Sequence, residues 1–173
     1  MTSIRAAGVV ACVLFAGGCD EVDDYLDRTP SPPTADQVVS HFARHEGIDS
    51  VRMSGNVAEI HVEQPFRQLE RGGSIWARVG PFVYLMTPST RTAFEEFPGL
   101  AAVRVVTHLP DGDEVARAML RRDTLSDILW RRTLNILGHA LESGRENPRR
   151  LEELTEWAEQ YADFEYNPDY VDN

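Results

Sequence analysis

Two dipeptides, Gly55-Asn56 and Asp111-Gly112, constrain this chain more than any other feature. Each lies between two stretches of alternating apolar and polar residues. Such dipeptides close β-hairpins because they tolerate the positive φ that matches strand twist. Closing the chain at Gly55-Asn56 pairs Ser54 with Val57, Met53 with Ala58, Arg52 with Glu59 and Val51 with Ile60. Apolar residues then share one face and Arg52 meets Glu59 on the other; a slip of one residue breaks both agreements. Asp111-Gly112, read as a type I′ turn, sets Val103 opposite Leu120, Val105 opposite Ala118 and Thr107 opposite Ala116. Arg104, His108 and Arg117 take the opposite face.

Helical signals surround the hairpins. Thr34-Ala35-Asp36-Gln37 is a capping box, with Val38, Val39 and Phe42 as the apolar stripe that follows. Pro65 to Gly73 reads as a loop. Ser74 to Met86 is apolar throughout and is compatible with a strand or a helix; its place between two hairpins favours a buried helix. Thr87-Pro88 reads as N-cap and first helical position, and Ser89, Thr90 and Thr92 beside it suit capping. Thr124 and Asp127 can cap a helix striped by Leu125, Ile128, Leu129, Ile136, Leu137, Ala140 and Leu141, with Gly144 as its stop. Asn147-Pro148 opens a last helix carrying Leu151, Leu154, Trp157, Ala158 and Tyr161 on one face. One helical pair cannot bury its own apolar face as a repeat array does, so the pair reads as a layer of the same domain.

The resulting expectation is an α+β fold with a mainly antiparallel sheet of two hairpins in the order α-β-β-α-β-β. Helices cover one face, and a helical hairpin closes the chain. The single domain spans 34–162. Residues 163–173 form an acidic aromatic tail, in which Phe164, Tyr166 and Tyr170 either pack on the domain edge or dock a basic partner.

Charge narrows the function. The chain has 28 acids and 17 basic residues, every one of them Arg. Arg5 is the sole charge before Cys19, so the chain from Cys19 onward carries −12 instead of −11. A body this acidic has no electrostatic reason to bind nucleic acid or an anionic membrane surface.

The first residues explain how such a body meets a membrane. Arg5 is followed by an uncharged apolar run, Ala6 to Gly18, and then by Cys19-Asp20-Glu21. The run is too short for the roughly 20 residues a membrane span needs, and it suits the apolar region of an export signal. Ala16-Gly17-Gly18-Cys19 resembles the lipobox of bacterial lipoproteins. That resemblance implies a signal peptide over 1–18, cleavage before Cys19, and a diacylglyceryl group on its thiol. The family most often has Leu where this chain has Ala16. Cys12, after Val9-Val10-Ala11, is a competing lipobox with a much shorter apolar run before it. Asp20 resembles the inner-membrane retention signal of enteric lipoproteins, so the choice between inner and outer membrane stays open. Residues 19–33, acidic and then Pro30-Ser31-Pro32-Pro33, read as an extended tether, reaching up to about 40 Å at roughly 3.1 Å per residue. With both cysteines spent in the leader and anchor, the domain relies on its apolar core.

Chemical constellations are sparse. His41 and His45 share a helix face and could take a divalent ion, but they lack the enclosed Glu of the zincin motif and the third ligand of a catalytic zinc. Gly-x-Ser-x-Gly, P-loop and Gly-x-Gly-x-x-Gly patterns are absent from the sequence. The outer sheet face with Arg52, Glu59, His61, Arg104, His108 and Arg117 is the densest mixed-charge surface, either plain solvent face or a partner site. The expectation is a lipid-anchored cell-envelope protein on the periplasmic or cell-surface side. It has no cofactor, and it works as a non-catalytic binding or scaffolding module for another envelope protein. The alternatives are metal binding at His41 and His45, or small-ligand binding in an apolar pocket near Ser74–Met86.

Overall fold

A computed structural model describes residues 30–42 and 45–171. Cys19, the signal segment and most of the tether lie outside these residues. The elements run α1 (Ala35–Phe42), β1 (Ile48–Ser54), β2 (Val57–Glu63), α2 (Phe66–Gly72), α3 (Ser74–Leu85) and α4 (Pro88–Glu96). They continue with β3 (Ala102–His108), β4 (Glu114–Arg121), α5 (Asp127–Ser143), α6 (Arg149–Ala158) and β5 (Asp163–Tyr166). The fold is α+β, with one five-stranded mixed sheet in the order β1-β2-β3-β4-β5.

Both hairpins hold the register that their side chains demand. Arg52 pairs with Glu59 and Val51 with Ile60; Val103 pairs with Leu120 and Val105 with Ala118. The second turn differs from a type I′ loop. Gly112 is at φ 94° and donates its N–H to Leu109 O at 2.8 Å, while Asp111 keeps a negative φ. Pro110 causes this: its ring holds φ near −65°, which suits the first central position of a type I turn and forbids the left-handed one. Gly112 then closes the loop as a bulge, and the β3–β4 ladder shifts between Thr107 and His108.

Between the hairpins the order departs from expectation. β2 and β3 are parallel neighbours, from Val57 beside Ala102 to Glu63 beside His108. Parallel neighbours need a crossover over the sheet face, and α2, α3 and α4 together make it. That requirement decides Ser74–Met86 in favour of helix. It also turns Pro65–Gly73, expected as a loop, into the short helix α2.

The tail is the second departure. Asp163–Tyr166 pairs antiparallel with β4, Phe164 beside Ala118 and Glu165 beside Arg117, and becomes the sheet edge. The domain therefore extends past 162. At the other end, Pro33 is buried. A side chain at Gly99 would run into the backbone of Pro30 and Ser31, so the last residues assigned to the tether are packed against the domain.

Helix α3 is the hub of the core. Val79, Phe82 and Leu85 are fully buried against Ile60, Val103 and Leu120 of the sheet, and α6 brings Leu154 and Trp157 into the same cluster. Helix α5 buries Ile136, Leu137 and Ala140 of its expected stripe, with Leu125 buried just before it, and departs from the stripe at two positions. Ser126, rather than Thr124 or Asp127, caps it, accepting from Leu129 N. Trp130 and Thr133 point inward, while Ile128 and Leu141 are 70% and 62% exposed. The reason is a hydrogen bond: the Trp157 indole donates to Thr133 Oγ1 at 2.8 Å inside the α5–α6 interface. A buried indole N–H needs such a partner.

Candidate functional site

A groove of about 600 Å³ opens on the surface, within the roughly 300–1,000 Å³ usual for ligand sites. Its floor is apolar: Ile75 and Trp76 at the start of α3, Leu151 on α6, and Pro148 in the α5–α6 turn. Pro65 and Gln68 stand on the α2 side, and Gly144 closes the α5 side. Arg67 on α2 and Arg145 in the α5–α6 turn also line it, and no acid does so among the described residues.

Several of the described arginines are tied to acids, and these two are not. Arg78 pairs with Glu159, Arg91 with Glu95 and Asp127, Arg104 with Glu59, and Arg150 with Glu153. Arg67 and Arg145 have no carboxylate partner among the described residues. Glu152 and Glu156 line an adjoining hollow with Ser74 and Arg78, which shares Ile75 with the groove. The groove is thus apolar below and cationic above.

Of the stretch Ser74–Met86, near which an apolar pocket was expected, the groove takes only Ile75 and Trp76 at the start. The space between the sheet and Ser74–Met86 is filled: Ala77, Val79, Phe82, Leu85 and Met86 are fully buried. The groove opens at the outer, N-terminal end of α3. Nothing in the sequence marks Arg67, Gln68, Gly144, Arg145 or Pro148, because only the crossover and the α5–α6 turn bring them together.

His41 and His45 do not share a helix face, because α1 ends at Phe42 and His45 lies beyond it. His41 Nε2 lies 3.2 Å from Glu96 Oε2, with its ring edge-on to Phe97. His45 Nε2 lies 2.9 Å from Ser89 Oγ. Glu96 and Ser89 are seven residues apart on α4, about 10 Å along its axis, so the two imidazoles serve opposite ends of α4 and do not converge on one ion. Among the described residues no three His, Cys, Asp or Glu side chains cluster. Burial pushes the His45 imidazole below its ordinary value of 6.5. No carboxylate orients its other nitrogen among the described residues, so the Ser89 contact ties the end of α1 to the start of α4. Thr87, whose hydroxyl accepts from Thr90 N at 3.2 Å, does the capping.

The mixed-charge sheet face is assembled as the register requires. Glu59 takes Arg104 Nη1 at 3.0 Å on one carboxylate oxygen and His61 Nε2 at 3.0 Å on the other. Burial alone would raise the Glu59 carboxyl, but the hydrogen bonds from His61 and Arg104 outweigh it and hold the group below its ordinary value. His61 and His108 are 6.3 Å apart by ring centre. Arg117 bonds Glu165 on β5 at 2.5 Å and Glu114 at 3.5 Å. Most of these charges are spent on one another across the strands.

No protein-family model, curated protein or solved structure matches the chain.

Proposed function

We propose that this chain is a lipid-anchored envelope protein that works by binding. The observation that carries the reading is the order of the first 33 residues: an apolar export run, Ala16-Gly17-Gly18-Cys19, then an acidic and proline-rich stretch. Two acyl chains on Cys19 would hold the protein stably, at about 0.8 kcal/mol per buried methylene. A body of net charge −12 then stands away from an anionic bilayer and is held to it by the anchor alone. A second reading, small-ligand binding, is favoured by the groove of about 600 Å³ beside Ile75 and Trp76.

Metabolic labelling with a palmitate analogue tests the anchor. The wild type is expected to label and to sediment with membranes. Cys19→Ser is expected to lose the label and move to the soluble fraction. Equal labelling of both, or of neither, would remove the anchor from the reading.

A further inference from the structure

We infer that the groove between α2, the start of α3 and the α5–α6 turn binds an anionic amphiphile, a single alkyl or acyl chain ending in a carboxylate or phosphate. The inference rests on reading the chain as a binding module and names the ligand class of that module. Ile75, Trp76 and Leu151 offer the apolar wall, and the half-buried Trp76 offers an aromatic face. Arg67 and Arg145 offer the head-group site. Guanidinium forks match carboxylate and phosphate oxygens bidentately, and these two have no carboxylate partner among the described residues.

Charge complementarity chooses this occupant over a neutral lipid or a basic peptide. In a chain with 28 acids and 17 arginines, a lining with two arginines and no acid among the described residues is a local reversal of sign. The overall charge still opposes a membrane surface, which meets the whole body at once. A single head group seated between two guanidiniums is governed by what lies within a Debye length, about 10 Å at 0.1 M salt. Glu146, next to Arg145 in sequence, is the nearest acid along the chain and stands outside the lining.

The test is a titration of the full chain carrying Cys19→Ser, so that no covalent acyl group competes. Trp76 fluorescence reports it, since Trp130 and Trp157 are 4% and 7% exposed in the core. Laurate and dodecyl phosphate are the charged probes, and monolaurin is the neutral one. Saturable one-to-one binding of at least one charged probe is expected, with monolaurin at least tenfold weaker. Whichever charged probe binds tighter identifies carboxylate or phosphate as the preferred head. The double variant Arg67→Gln/Arg145→Gln is expected to bind at least tenfold more weakly, about 1.4 kcal/mol, with unchanged circular dichroism. Both residues are exposed, so the fold is spared. Three results would overturn the inference: absence of saturation, equal binding of monolaurin, or full affinity in the double variant. A concentration-dependent dimer abolished by Trp76→Glu would assign the groove to a second copy, and overturn it too. Labelling at Cys19 is scored separately, so failure of the anchor and failure of the groove are told apart.

Discussion

Arg122 holds more of this fold than its place after a strand suggests. Its Nε donates to Leu100 O at 2.8 Å, and its two terminal nitrogens donate to Phe94 O and Phe97 O. Those carbonyls end α4 and lead into β3, where an α-helix leaves acceptors unpaired. A cation there also answers the helix dipole. Arg122→Ala is expected to lower unfolding free energy by about 2–3 kcal/mol, read as a shift in urea midpoint at constant slope. Arg122→Lys should recover only part of it, because one ammonium cannot span three carbonyls. Glu59 is the second residue with a measurable consequence. Its carboxyl lies below its ordinary value of 4.5 in the folded chain. Its contribution is therefore complete above that value and is lost as pH falls through the folded one. Glu59→Gln should cost up to about 1 kcal/mol near pH 7 after solvent screening. The gap between wild type and variant should close as the solution is acidified below the ordinary value of 4.5. A gap that is constant with pH would mean that shape, rather than charge, is what Glu59 supplies.

Among the elements, β5 shows how a weak local signal becomes structure. Asp163–Tyr166 alternates acids with aromatics but is only four residues long, shorter than the usual strand of about 5–6 residues. It is held by pairing with β4 and by Phe164, whose ring lies 4.8 Å from Phe82 and 5.3 Å from Tyr166. Asp163 and Glu165 find Arg121 and Arg117 across the ladder, at 3.4 and 2.5 Å. The same acids leave a short, charged outer edge that discourages pairing with another chain. Phe164→Ala should destabilise the protein by about 2 kcal/mol, below the value for a fully buried phenylalanine because the ring is half exposed. A double-mutant cycle with Phe82→Ala should return a coupling of about 0.5–1.5 kcal/mol. Coupling near zero would mean that β5 is held by its backbone alone.

At the scale of the whole molecule, what could be read early was whatever depends on neighbours in sequence. Hairpin registers follow from side-chain alternation with a period of two. The α1 capping box is present as written, Thr34 N to Gln37 Oε1 at 2.8 Å. The Leu151, Leu154, Trp157 and Ala158 face of α6 is buried as its spacing demands. What could not be read depends on contacts between distant segments. The parallel β2–β3 pairing, the conversion of Pro65–Gly73 into α2, the turn of α5 toward Thr133 and the recruitment of β5 all lack a local signature. The groove belongs to the second group, because Arg67 and Arg145 are far apart in the chain and meet only after the crossover is made. His41 and His45 show the converse: a shared helix face was expected, but α1 ends at Phe42, and Glu96 and Ser89 on α4 decide where each ring goes. The sequence alone determined the local elements, the hairpin registers and the negative charge, since each is written in adjacent residues. Tertiary structure decided strand order, helix orientation and the cationic groove, because only packing selects which distant surfaces are buried together.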